Sequence, residues 1–423
     1  MKKLIVLLLA LTMVLGNVFV LVSCGGTTGG NDDSKKSAVQ IAIEKAQNMT
    51  DEELEAAARA ELEAAGADAK FNCDSLTSGI KKALVGFEEK YTWAAGKTQY
   101  NSKKGSEYQP KLTAAQESNS YIADFVMIQD AAFVKSLADA GFLRSYVPSG
   151  DAFKIDDADK NPLVGVTFNK VFMYYDSTKA EGYEFSNVWQ LTGADGVSLK
   201  GVHNVSYQNP LGEDVNMSFL IMLTSPAACE KLTAAYKTYF GKDYEATDAY
   251  KNIGYQFVAE FIKNVGYWHS SDSTAVKNIN TEDYNQKLIF AGLCKLKDYP
   301  GYKVTPETDG YYKTAVKAAG WNNDVEGFPG FVYNMWTLIP DTAKLPYMSC
   351  LFVKYLLSEE GYNKGWGGIL GYYSSNQNIP SVEGDPALSE WKKMAIVEDV
   401  DYINSAYASV VKFINQQMSG VGK

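Results

Sequence analysis

Ala123-Asp124-Phe125-Val126-Met127-Ile128, then Gln129-Asp130, then Ala131-Ala132-Phe133-Val134-Lys135-Ser136-Leu137-Ala138-Asp139-Ala140-Gly141, is the stretch on which the fold turns. The first run is short, apolar and aromatic-rich, as a buried strand requires, and the second reads as a helix closed by glycine. The same order precedes it: Ala69 to Cys73 reads as a short strand and Ser75 to Tyr91 as an amphipathic helix. Further upstream, Ser37 to Ala65 is helical in pattern, with Thr50 as N-cap and Glu53 three residues on. Downstream, Val164 to Tyr175 is a long extended stretch suited to crossing between lobes, and Lys200 to Tyr207 another strand. Helices are expected at Ser225–Tyr239, Ala246–Asn264 and Pro346–Leu357, and strands at Gln286–Leu293 and Phe331–Ile339. A final helix from about Asp399 to Met418 places Ile403, Ala406, Val410, Phe413 and Ile414 on one face. Strand alternating with helix predicts α/β lobes with largely parallel sheets. The Gly- and Asn-rich segment from Asn363 to Asn378 reads as the least regular part of the body.

The chain has 423 residues, more than one hydrophobic core usually serves, so two lobes are expected. With 46% hydrophobic and 21% charged residues the composition is that of a globular protein. A net charge of −10 argues against nucleic acid, whose binding needs clustered Lys and Arg. Tyr is frequent, at 28 residues, and suits clefts as well as cores. Cys73, Cys229, Cys294 and Cys350 are too far apart for a zinc site; they allow three disulfide pairings or buried free thiols. Only His203 and His269 are present, which weighs against His-dependent triads and multi-His metal sites, and no cofactor or metal is expected.

The N-terminus combines Met1-Lys2-Lys3 with an apolar run from Leu4 to Val22, the marks of a secretory signal. Leu21-Val22-Ser23-Cys24 resembles the bacterial lipobox, which implies cleavage after residue 23, lipidation of Cys24 and an extracytoplasmic protein anchored to the bacterial cell membrane. The competing reading is an uncleaved membrane anchor. Residues 24–37, rich in Gly, Thr, Asn and Asp, read as a flexible tether.

Four further passages resemble bacterial extracellular solute-binding proteins of ABC importers, in the branch with ferric-iron, polyamine and thiamine binders. They are Phe87-Glu88-Glu89-Lys90-Tyr91; the Ala123–Asp130 strand leading to Ala138-Asp139-Ala140-Gly141-Phe142-Leu143; Phe185 to Leu191 with Lys200-Gly201-Val202; and Leu351-Phe352-Val353-Lys354-Tyr355-Leu356-Leu357-Ser358-Glu359-Glu360-Gly361. The resemblance implies a type II periplasmic-binding-protein-like α/β fold: two lobes joined by hinge strands, closing on a ligand in the cleft between them. Lobe 1 would comprise residues 38–170 and 325–360, and lobe 2 residues 171–324 and 361–423. It also implies a monomeric receptor without enzymatic activity, whose partners are a small-molecule solute and ABC permease subunits.

In parallel sheets ligands sit beyond the carboxyl ends of the strands. With the segment order this gives as candidate ligand-binding residues Ser75 and Thr77, Gln129 and Asp130, Asn209, Trp268, Ser270 and Ser271; Tyr333 and Trp336 are further candidates, and Tyr372 stands where the resemblance implies a return to the cleft edge or second lobe. Each has a structural alternative: Asp74 or Ser75 as helix cap, Asn209 before Pro210 as turn former, Trp268 and Trp336 as core. The family's iron binders carry a Tyr-Tyr pair after the second-lobe strand, and a Glu where Gln129 stands here. This chain instead has Cys294-Lys295-Leu296-Lys297 after that strand, which disfavours ferric iron and favours an organic solute. Alternatives on the same fold are a surface adhesin or sensor, and an exported glycan-active enzyme, for which no motif pairs two carboxylates.

Overall fold

The computed structural model describes residues 36–175, 185–193, 205–279, 288–298, 316–321 and 324–421; residues 37–421 lie in one compact unit. The signal segment, Cys24, most of the tether and the 200–202 passage fall outside the described residues.

Two helices open the body, α1 (Ala38–Ala46) and α2 (Asp51–Ala64), each with a side-chain cap. Thr50 and Glu53 form the capping box expected of them, with Thr50 Oγ1 accepting from the Glu53 N–H at 3.2 Å. There follow β1 (Phe71–Ser75), α3 (Gly79–Lys90), β2 (Thr98–Ser102), α4 (Gly105–Ser118), β3 (Phe125–Ile128), α5 (Ala131–Asp139) and the short β4 (Leu143–Arg144). The crossing strand β5 spans Val164–Tyr175, as its sequence predicts.

Beyond it lie β6 (Val205–Gln208), α6 (Asp214–Met222), α7 (Pro226–Phe240), α8 (Ile253–Asn264), β7 (Val265–His269), α9 (Asp272–Asn278), β8 (Leu288–Gly292) and β9 (Val316–Ala318). The chain returns through β10 (Gly330–Pro340), α10 (Pro346–Leu356), α11 (Glu359–Trp366), β11 (Tyr372–Ser374), α12 (Leu388–Met394), β12 (Ile396–Val397) and α13 (Val400–Val421).

The strands form one continuous sheet in the order β2-β1-β3-β10-β5-β8-β6-β7. β1 runs parallel to β2 and β3, and β6 runs parallel to β7 and β8. Between these half-sheets, β5 and β10 pair antiparallel with each other and each joins antiparallel to one half. Two α/β lobes thus share a pair of long strands at their hinge.

Two of the resembling passages meet in the core of the first lobe. Phe87 on α3 lies edge-on to Phe352 at 5.4 Å and to Tyr355 at 5.6 Å, and Phe352 also packs on Phe71 and Phe125. The segment from Asn363 to Asn378, expected to be irregular, contains the end of α11 and all of β11. Its glycines misled the reading; Gly361, earlier in the same helix, is required because a Cβ there would strike the Tyr355 carbonyl.

All four cysteines within the described residues are free thiols, three of them buried. No helix of the described residues is long and apolar enough to cross a membrane.

Candidate functional site

The carboxyl ends of β1 and β3 in one lobe face those of β6, β7 and β8 in the other, and the cleft forms where their following loops meet. Its inner chamber, about 350 Å³, is walled by Thr77 and Ser78 after β1, Gln129 after β3, Ser270 and Ser271 after β7, and Cys294 and Lys295 after β8. An adjoining chamber of about 370 Å³ shares Leu76, Gln129, Gln208, Glu213 and Ser270 with the first, and adds Lys103, Lys104 and Asp214.

The hinge strands supply the floor. Successive side chains of a strand face opposite sides, so β10 gives Tyr333 and Met335 to the cleft and turns Val332, Asn334 and Trp336 to a separate cavity of about 790 Å³ on the reverse face. By the same alternation β5 contributes Phe168 and Lys170. Phe168 meets Tyr333 edge-on at 5.4 Å and Tyr372 at 4.5 Å, forming an aromatic wall.

Lys170 is 3% exposed, and its Nζ reaches Asp272 at 3.1 Å and Asn216 Oδ1 at 2.9 Å, above the Phe290 ring. Burial alone would raise the Asp272 carboxyl, but the Lys170 ammonium, His269 and the Gly292 N–H outweigh it and hold it well below the usual carboxylate range. His269 is buried between Ser206 and Asp272 and acts as a brace.

Glu213 accepts from Gln208 at 3.1 Å and, from the opposite lobe, Gln129 at 3.3 Å; burial raises its carboxyl. Gln109 on α4 spans the lobes a second time, donating to Asp130 and to Asp214 at 3.2 Å. Burial pushes Asp130 up to about 6, and burial together with the facing Asp130 charge pushes Asp214 to about 6. The lobes come so close here that a Cβ at Gly105 would overlap the Asp214 carboxylate.

The structure therefore gathers Thr77, Gln129, Ser270, Ser271, Tyr333 and Tyr372 on one chamber. It places the other candidates elsewhere. Ser75 is buried, and its hydroxyl closes a turn on the Thr77 backbone. Asp130 caps α5 through the Phe133 N–H beside the cleft. Asn209 accepts from the Leu211 N–H in an exposed turn, Trp268 packs edge-on to Tyr207, and Trp336 is 1% exposed on the reverse face.

Sequence reading missed Phe168, Lys170, Glu213, Asp214 and Asp272. The first two lie mid-strand, where only knowledge of which face opens to the cleft distinguishes them from core. Among the described residues no three His, Cys, Asp or Glu side chains converge as a metal site.

No protein-family model and no curated protein matches the sequence. Solved structures do resemble the fold. The ferric binding protein from Campylobacter jejuni is 12% identical, with 82% of this chain and 99% of that one covered at a TM-score of 0.58. A substrate binding protein of an ABC transporter from Agrobacterium tumefaciens is 12% identical, with 85% and 96% covered at 0.56. The A. tumefaciens R10 binding protein AgtB, solved with agropinic acid, is 13% identical, with 84% and 100% covered at 0.55. At such identities the likeness is one of fold: two α/β lobes about hinge strands, of the type II periplasmic-binding-protein kind.

Proposed function

We propose that this chain is an extracytoplasmic receptor that closes on a small polar organic solute and presents it to an ABC-type permease, held at the membrane by a lipid on Cys24. The observation that carries this reading is the cleft itself. Loops after five parallel strands from both lobes meet there, and Gln129–Glu213 and Gln109–Asp214 link the lobes across it. Such bonds form only when the lobes are together, so a solute lodged between them and touching both sides favours closure. Binding suits this arrangement, in which the carboxylates on the cleft are each engaged by amides or ammonium groups.

An organic solute suits the lining better than ferric iron. A hard trivalent cation calls for several anionic oxygens. The chamber carries two carboxylates, Asp272 and Glu213, but the first is taken up by Lys170 and the second by glutamine amides, and Lys295 adds a further positive charge. Native mass spectrometry of protein purified from its bacterial host tests the reading. A fraction carrying one small organic molecule, released on unfolding, is the expected result; protein that stays empty through solute screening opposes it.

A further inference from the structure

The inner chamber has an uneven balance of charge and hydrogen-bonding groups. Lys170 and Asp272 neutralise each other at its floor, and Glu213 is already held by two glutamine amides. Lys295, half-buried in the wall, has no ion pair or hydrogen bond with the described residues. The same chamber is lined by hydroxyls that make no local hydrogen bond among the described residues. Ser78 precedes α3 and Ser271 precedes α9, yet neither side chain caps its helix, and Ser270 lies next to Ser271 on the same wall. Of the two ammonium groups on the chamber, Lys170 is paired and Lys295 is the one without a partner among the described residues, with unengaged serine hydroxyls on the same walls.

From this we propose that the chamber holds an anion subsite, and that the solute is a small organic acid whose single carboxylate sits against Lys295, Ser270 and Ser271 of one lobe and Ser78 of the facing lobe. The inference rests on the receptor reading above and narrows it. One carboxylate matches the one uncompensated ammonium. A dianionic phosphate would bring surplus negative charge next to Asp272 and Glu213, and an amine would face Lys295 while the chamber's carboxylates are already engaged, Asp272 by Lys170 and Glu213 by two glutamine amides. The rest of the solute lies along Phe168, Tyr333 and Tyr372.

Thermal unfolding of the full-length protein in acetate, methylphosphonate or methylammonium, at matched concentration and ionic strength, reads the head group directly. Acetate should raise the Tm most. Lys295→Gln should raise the apparent acetate Kd, read from the dependence of Tm on acetate concentration, at least about tenfold, equivalent to about 1.4 kcal/mol, while Lys295→Arg retains the wild-type value. No acetate effect, an equal effect in Lys295→Gln, or a larger effect from either other ion overturns the proposal. The unliganded Tm of each variant, expected near wild type for a half-exposed lysine, separates lost binding from lost folding. If a neutral or cationic solute is found bound while acetate does nothing, the anion subsite fails and the receptor reading stands. If no solute of any charge binds, the receptor reading itself fails.

Discussion

Lys170 shows how one residue joins stability to site. Its ammonium is buried beneath the cleft and partnered by Asp272 and Asn216, so truncation would leave Asp272 without its counter-charge. Removing one member of a buried pair costs about 3–5 kcal/mol, and Lys170→Ala should lose stability on that scale in urea unfolding. The paired Asp272, depressed in the folded state, contributes stability above the unfolded carboxylate range and loses it only in strong acid. Asp214 has the opposite sign. Its carboxyl stands at about 6 when folded, against about 4 unfolded, so its contribution is present below about pH 4 and lost as pH rises through 6. The Tm of the wild type should therefore fall between about pH 4 and 6, and Asp214→Asn should flatten that fall. An unchanged slope in the variant would remove Asp214 from the account.

At the scale of elements, the face a strand presents decides what its residues do. Tyr333 and Trp336 lie on one strand and were equal candidates in the sequence, but alternation sends the first to the cleft and the second to the reverse face. Tyr333→Ala should weaken solute binding with a modest loss of stability. Trp336→Ala should cost about 3–5 kcal/mol by emptying a buried site while leaving affinity for the solute near wild type. Calorimetric titration and denaturant unfolding of both variants check the pair.

The same scale explains what the sequence could reveal. The crossing strand and the β3–α5 unit were legible because each keeps one periodicity between clear breakers. α6 was not: Val215 to Met222 are all buried, so it has no polar stripe to betray a helical period. β2, an edge strand with no buried face, shows no alternation, and α4 carries Pro110 in its interior. The loop after β3 could be found, hence Gln129, and Ser270 and Ser271 were found as residues preceding a helix, although the strand before them, Val265–His269, was not. Glu213 could not, because the helix it precedes was unseen.

For the molecule as a whole, the hinge strands and the lipid anchor are proposed to serve one purpose. On that proposal the tether would confine the receptor near its permease and raise its effective concentration there without touching the cleft. Cys24→Ser should therefore shift the protein from the membrane fraction to the medium or periplasm, with solute affinity unchanged; retention at the membrane would oppose lipid anchoring. Closure is the more central claim. Pulsed electron-electron resonance between labels at Lys82 on α3 and Lys242 after α7, both exposed and on opposite lobes, measures it in a Cys229→Ser background. The account predicts a broad, longer distance without solute that shortens and narrows when the co-purified solute is added back; a distribution that does not change with solute would contradict it.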